Sequence, residues 1–369
     1  MKFVGISGSS GFLGSHLRNT LSLEKDKYTI IDLDKDAFQN IDILDELVKS
    51  CDIIFHFAAI IRHENQDFIY NENLRIADFL ISSLEKVNRP IKLVFSSSIQ
   101  EGIPTSYGKA KRIIRSKFEI WADKSKNQFC TLIIPNLFGP FAKPYYNSFI
   151  ATFSHQIINF EKPNVNSDNI IPLLYVDDLI KNLITFIFQK EFKKYKIIQA
   201  ELDISVKAVL KELYYFKDEY IDKGIIPELK CKFSVQLFNT FRSYIAYDQF
   251  FPRIYKSHED HRGNFVELIR LGTGGQVSFS TTKPGVTRGD HFHTRKIERF
   301  SVIQGKAKIE IKRYGQSEKM TFYLDGDIPS YIDIPVWHYH NLINIGTETL
   351  YTIFWINETF NPLDADTYY

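Results

Sequence analysis

Cysteine is scarce and unpaired in this chain: Cys51, Cys130 and Cys231 are the only three in 369 residues, with no C-x-x-C pair and no even framework. Such usage excludes a disulfide scaffold and points to a reducing, cytoplasmic compartment. An excess of one charge is missing too, since 46 Lys and Arg stand against 44 Asp and Glu. That balance gives no support to nucleic-acid or membrane-surface binding. Apolar runs such as L-I-T-F-I-F at 183–188 are far too short to span a bilayer. The opening M-K-F-V-G-I-S runs directly into a glycine turn, so a strand is expected there and not a signal peptide. Internal repeats and low-complexity linkers are absent. What is left is a soluble chain longer than one typical domain, and two domains are expected.

Histidine, by contrast, is concentrated. In G-V-T-R-G-D-H-F-H-T-R-K-I-E-R-F-S-V-I-Q-G, residues 285–305, His291 and His293 stand two apart, so on a strand both imidazoles project from one face. Glu298 follows after a short turn, and P-V-W-H-Y-H-N places His340 on a later strand. Three imidazoles and a carboxylate suit a borderline divalent ion such as zinc; iron, manganese or nickel would also be held. The spacing resembles the first cupin signature at every fixed position. The second is matched by Pro335, His340 and Asn344, with Trp337 where cupins have a turn glycine. A left-handed backbone angle is costly for Trp, so that turn is expected to be reshaped.

The first strand, 2–7, meets Gly8-Ser9-Ser10-Gly11-Phe12-Leu13-Gly14, and 15–23 then has helical spacing. Glycine suits a sharp turn that approaches a pyrophosphate, and the following helix offers free N–H groups to it. A second strand, 28–33, carries Asp32 where a doubly wound fold presents an acid to the adenosine ribose, which taken alone favours NADH; Lys35 nearby weakens that preference. Asp42-Ile43 resembles the pair that brackets adenine, and Ala58-Ala59 after the strand 52–57 leave room for the cofactor. A helix over 71–87 and a strand over 91–95 follow. Ser96-Ser97-Ser98 come next, then Tyr107 and Lys111, which share one face of a helix. The ammonium is expected to favour the phenolate. This resembles the Ser, Tyr-x-x-x-Lys set of the short-chain dehydrogenases, in which Tyr protonates a carbonyl oxygen as hydride arrives, Ser steadies that oxygen and Lys binds the nicotinamide ribose.

P-N-L-F-G-P at 135–140 and Y-V-D-D at 175–178 resemble the extended branch of that family, whose members act on nucleotide sugars. The resemblance implies Asn136 and Asn147 as substrate-binding residues, with a helix running from 147 to 159. Residues 195–246 alternate one strand with amphipathic helices, the first capped by Ser205. Beyond Phe250-Phe251-Pro252 the segments are short, β-rich and broken by Gly, Asp and Pro, as in an all-β barrel. D-H-R-G-N-F-V-E at 260–267 resembles the entry of cupin sugar-ketone epimerases.

A doubly wound extended short-chain dehydrogenase, 1–246, followed by a metal cupin jelly roll, 247–369, resembles the bifunctional capsular polysaccharide enzymes of the UDP-N-acetyl-L-fucosamine pathway. The likeness covers essentially the whole chain, down to D-T-Y at 366–368. It implies that the cupin epimerises C3 of a UDP-4-keto-6-deoxy-N-acetylhexosamine and that the dehydrogenase reduces C4, giving a UDP-N-acetyl-6-deoxy-L-talosamine type product. It also implies NADPH, against the NADH preference of Asp32, and a homodimer. His338 and Lys283 are candidate bases by proximity in sequence, although a surface position is the plainer reading of each. Two other readings remain: a 4-keto sugar reductase whose cupin only dimerises, and a non-catalytic NAD(P) sensor. An intact Ser98, Tyr107 and Lys111 count against the sensor.

Overall fold

The computed structural model describes every residue except Asn88 and Arg262, so the Arg of the D-x-R-G stretch lies outside the described residues. The chain forms two compact units. One contains Met1–Phe138, Ala142–Phe149 and Ser167–Val206; the other contains Gly139–Phe141, Ile150–Asn166 and Lys207–Tyr369.

The strands of the first unit are β1 (Lys2–Ser7), β2 (Tyr28–Leu33), β3 (Ile53–His56), β4 (Lys92–Ser98), β5 (Gln128–Ile134), β6 (Asn136–Phe138), β7 (Ile170–Tyr175), β8 (Tyr195–Ile197) and β9 (Leu202–Ser205). Six of them form a parallel sheet in the order β2-β1-β3-β4-β5-β8, and β6-β7-β9 form a small second sheet. The helices are α1 (Phe12–Ser22), α2 (Ile41–Ser50), α3 (Gln66–Leu84), α4 (Ser106–Ser125) and α6 (Val176–Phe188); α5 (Phe149–Ile158) belongs mainly to the second unit. Val4 and Ile6 of β1 pack with Leu17 and Leu21 of α1 and Leu179 and Leu183 of α6. On the opposite face Leu93 and Phe95 of β4 meet Leu44 and Val48 of α2, Leu80 of α3 and Phe118 of α4. Each such buried side chain contributes about 1.5–3 kcal/mol, and covering both faces makes the sheet doubly wound. The strand order reverses at β1, so the ends of β1 and β3 open the crevice where such folds bind dinucleotides.

Local caps set boundaries that periodicity misses. Helix α3 begins at Gln66 rather than at 71, because the Asn65 side chain accepts hydrogen bonds from the N–H groups of Asp67 and Phe68, at 2.8 and 3.2 Å. Two strands, β8 and β9, stand where one was expected.

The second unit adds α7 (Val206–Phe216), α8 (Lys232–Arg242) and α9 (Tyr247–Phe250) to eleven strands. These are β10 (Arg253–Ile254), β11 (Ser257–Asp260), β12 (Gly263–Val266), β13 (Gln276–Thr282), β14 (Thr287–His291), β15 (Glu298–Gln304), β16 (Lys306–Arg313), β17 (Lys319–Asp325), β18 (Ser330–Ile334), β19 (His338–Asn344) and β20 (Leu350–Ile356). They form antiparallel sheets β10-β18-β15-β20-β13 and β14-β19-β16-β17, plus the hairpin β11-β12. This is the antiparallel architecture expected of a cupin jelly roll. Residues 207–246, placed with the nucleotide-binding domain on composition, cluster in space with the barrel strands. Three bonds explain it: Tyr220 donates its hydroxyl to Asp333 at 2.7 Å, Arg242 donates to the Ile334 carbonyl at 2.8 Å, and Asn239 to the Arg295 carbonyl at 3.0 Å. Asp333 also holds the buried Arg299 through two bonds of 2.7 and 2.9 Å. No helix among the described residues is long and apolar enough to cross a membrane.

Candidate functional site

The glycine turn after β1 is built for close approach. Gly8 has φ +71°, and a Cβ there would lie 2.9 Å from the Ala58 nitrogen; a Cβ on Gly14 would lie 2.1 Å from the Gly8 carbonyl oxygen. No side chain caps the start of α1 at Gly11, so its first N–H groups are available to an anion. The cradle therefore fits a dinucleotide pyrophosphate. Ser7 and His56, which sequence reasoning passed over, brace this edge. The Ser7 hydroxyl accepts from the Phe57 and Ala58 nitrogens and is 2.7 Å from His56 Nδ1. Burial pushes His56 down to about 3 and keeps the ring neutral; with its oxygen already accepting twice, the Ser7 hydroxyl donates to Nδ1.

Asp32 lies on β2 as expected, but it is paired with Arg18 of α1, whose Nε donates to both carboxylate oxygens at 3.1 and 3.2 Å. Asp42 and Ile43 sit exposed in the first turn of α2, held by the Asn40 cap. Ala58 follows β3 after one intervening residue, Phe57.

Ser98 ends β4 and accepts from the Gln100 nitrogen at 3.2 Å, a bond that leaves its own O–H to donate elsewhere. Tyr107 and Lys111 lie on α4, which begins under a Thr105 cap. The expected ammonium-to-phenol arrangement is not what the structure shows. Lys111 Nζ lies 5.6 Å from the centre of the Tyr107 ring and donates at 2.7 Å to the Ser96 carbonyl. Burial first, and Tyr146 second, push the Tyr107 phenol well above its ordinary range. Burial lowers Lys111 to about 7, against the opposing pull of Glu101. Tyr107 is thus held as a proton-bearing phenol.

Asn136 lies on β6, its amide 3.4 Å from the Pro172 carbonyl, whereas Asn147 is exposed in the turn before α5. The nearby α6 carries in its first turn Asp177, which pairs with buried His16 at 3.3 Å.

In the second unit the four expected ligands converge. One donor atom from each of His291, His293, Glu298 and His340 lies within 4.8 Å of the others. Glu298 Oε2 is 3.3 Å from His293 Nε2 and 3.2 Å from His340 Nε2. All three atoms are buried without a hydrogen-bond partner, an arrangement that a divalent ion would satisfy. His293 Nδ1 lies 2.5 Å from the Asp366 carbonyl and His340 Nδ1 lies 3.3 Å from the His338 carbonyl. A carbonyl can only accept, so each Nδ1 carries a proton and each ring is oriented with Nε2 turned inward, toward Glu298. Burial would raise the Glu298 carboxyl, but the His293 and His340 rings outweigh it and hold the group well below the usual carboxylate range. Burial, then His340 and His293, lower His291 to about 4. Glu298 is thereby ionised and His291 neutral, the forms in which each can bind a metal.

Two expectations around the barrel site are corrected. Trp337 does adopt the left-handed backbone, φ +61°. Its N–H donates to the His293 carbonyl at 2.7 Å, its carbonyl accepts from Tyr314, and its buried ring packs beside Phe292 and Tyr314. The turn geometry survives because tertiary contacts offset a strain of about 1–3 kcal/mol. His338 is buried, not a surface histidine, and shares the inward face of β19 with His340; Lys283 is exposed.

Residues 4–199 match the model of the NAD dependent epimerase/dehydratase family. The chain belongs to that family. Its members use a nicotinamide cofactor, in keeping with the cradle at Gly8, Gly11 and Gly14. Residues 258–368 match a second model, the polysaccharide biosynthesis C-terminal domain. This epimerase/dehydratase family member is 29% identical to the UDP-2-acetamido-2,6-beta-L-arabino-hexul-4-ose reductase of Pseudomonas aeruginosa, over 99% of this chain and 97% of the relative. It also resembles the crystal structure of CapF, a capsular polysaccharide assembling protein of Staphylococcus aureus, with 29% identity and a TM-score of 0.63 over 100% of this chain and 99% of that one. The chain is CapF-like over its whole length. A UDP-glucose 4-epimerase from Thermus thermophilus, 14% identical with a TM-score of 0.54 over 66% of this chain and 98% of that one, shares the nucleotide-binding fold.

Proposed function

We propose that the chain is a bifunctional nucleotide-sugar enzyme. Its barrel, within 247–369, epimerises C3 of a UDP-2-acetamido-2,6-dideoxy-hexos-4-ulose, and its nucleotide-binding half, within 1–246, reduces the C4 ketone to a UDP-N-acetyl-6-deoxy-L-talosamine type sugar for capsular polysaccharide. The observation that carries this reading is the joint presence of a Tyr107–Lys111 site and a cluster of three histidines and one glutamate in a chain that matches a named 4-keto sugar reductase from end to end.

Chemistry orders the two steps. The C3 proton is acidic only while C4 is a carbonyl that can take up the charge, so epimerisation precedes reduction. In the reductase, Tyr107 gives its proton to the C4 oxygen as that carbon is reduced, and Ser98 donates a hydrogen bond to the same oxygen. Lys111, anchored on the Ser96 carbonyl with its Nζ 5.6 Å from the centre of the Tyr107 ring, would bind the cofactor ribose. The nicotinamide, when bound, supplies the hydride. The Arg18–Asp32 pair neutralises the acid that would repel a 2′-phosphate, which favours NADPH over the NADH that Asp32 alone would select. Asn136 and Asn147 are assigned to the sugar nucleotide.

In the barrel, His291, His293, Glu298 and His340 would hold zinc or a similar ion. Bound there, the ion supplies Lewis acidity toward a ketone oxygen. His338 becomes the better candidate base: its Nδ1 is committed to the Val336 carbonyl at 2.8 Å, which leaves Nε2 as a lone pair. The outer strand β13 exposes Val277 and Phe279 at the end of its sheet, where we place the contact of a homodimer.

Tyr107→Phe tests the reductase assignment. Reduction of the 4-keto sugar should fall by about 10²–10⁴-fold while dinucleotide binding, followed by fluorescence, persists. Turnover close to native would refute the role given to Tyr107.

A further inference from the structure

The segment that returns to the metal cluster after β20 does more than end the barrel. Asp366 is buried and takes a left-handed backbone, φ +45°. Its carbonyl receives the His293 Nδ1–H. Its carboxylate receives the N–H groups of three successive residues, Thr294 at 3.1 Å, Arg295 at 3.0 Å and Lys296 at 3.1 Å, and the Thr294 hydroxyl at 2.6 Å. Three consecutive N–H groups turned to one point form an anion nest, here filled by the chain's own carboxylate. The nest is the irregular loop that joins two of the expected ligands, His293 and Glu298. Outer bonds reinforce it: Lys296 Nζ reaches the Ala365 carbonyl at 2.6 Å, and Phe292 and Tyr368 exchange backbone bonds of 2.9 and 3.0 Å.

We propose that Asp366 is a positioning residue of the metal site, fixing the tautomer and direction of His293 through its carbonyl and the spacing of His293 and Glu298 through its carboxylate. The inference rests on the metal reading above. One residue sets two ligands because its backbone carbonyl and its carboxylate both accept from the same loop, the first from the His293 ring and the second from the N–H groups that follow it, and the left-handed angle is what lets both reach. Loss of such an outer partner weakens metal affinity by about 10–100-fold.

The test is zinc affinity of the full chain, by competition with a chromophoric chelator, for native protein, Asp366→Asn and a form lacking residues 365–369. Asp366→Asn turns one acceptor into a donor facing the nest. It should bind zinc about 10–100-fold more weakly, and with Co²⁺ in place of zinc its visible absorption should shift from native. The shortened form should bind more weakly still. Native affinity in both variants, even with lowered melting temperatures, would overturn the proposal and leave the segment a purely structural clasp. Should either variant fold poorly, imidazole ¹⁵N spectra of the native metal-free chain decide: a slowly exchanging Nδ1–H on His293 supports the assignment and an Nε2–H tautomer contradicts it. Failure of the native chain to bind zinc or cobalt at all would remove the metal reading, and this inference with it.

Discussion

Asp32 shows how a residue can be placed correctly in a sequence while its partner stays hidden. Its position on β2 follows from the strand pattern, but its partner Arg18 comes from α1, and no spacing rule links the two. Arg18 is therefore the residue to change for cofactor choice. Arg18→Ala should raise KM for NADPH several-fold and leave NADH little affected; equal effects on both cofactors would refute the role. Lys111 is legible from Tyr-x-x-x-Lys, whereas its environment is not, because burial by β4 is a tertiary fact. Its folded value of about 7 lies below that of a solvated lysine, so between pH 7 and the ordinary lysine range the unfolded chain holds a proton that the folded chain lacks. Stability of the cofactor-free protein should rise with pH across that window. Denaturation midpoints of native and Lys111→Met protein should diverge in slope there, and identical slopes would count against the burial effect.

Among the elements, strands are the easiest to read. β2 falls on its expected 28–33, and β1 on 2–7, since alternating or continuous apolar runs next to glycine turns leave little choice. Elements fixed by a single side chain are harder, as the Asn65 start of α3 shows. The turn before β19 defeats a reading in which propensity is weighed without partners. Trp337 carries strain that glycine would avoid, yet its ring fills space beside Phe292 and Tyr314. Trp337→Gly should relieve the strain and empty the space, and removing such a ring costs about 3–5 kcal/mol against roughly 1–3 recovered. A net loss of about 2 kcal/mol in the metal-free barrel transition is expected by chemical denaturation. A stabilised variant would show that backbone strain outweighs packing.

Taken whole, the molecule is readable as a nucleotide-binding half followed by a β-rich half, because glycine turns and the histidine cluster announce different chemistries. The edge between them is not. Residues 207–246 read as amphipathic helices, and nothing in their periodicity says that Tyr220 and Arg242 will bond to strand β18. The four proposed metal ligands are legible because three of them sit within eight positions, 291–298, and the fourth recurs in the second signature; the Asp366 clasp is visible only as part of a D-T-Y ending, without a role. The molecule-scale claim is that one ketone serves twice, first to acidify C3–H and then to be reduced. Incubation of the zinc-loaded chain with the UDP-4-keto-6-deoxy-N-acetylhexosamine in D₂O, without reduced cofactor, measures this directly by NMR. Deuterium should appear at C3 of the sugar while C4 stays oxidised, and a substrate that keeps its C3 proton throughout would contradict the account.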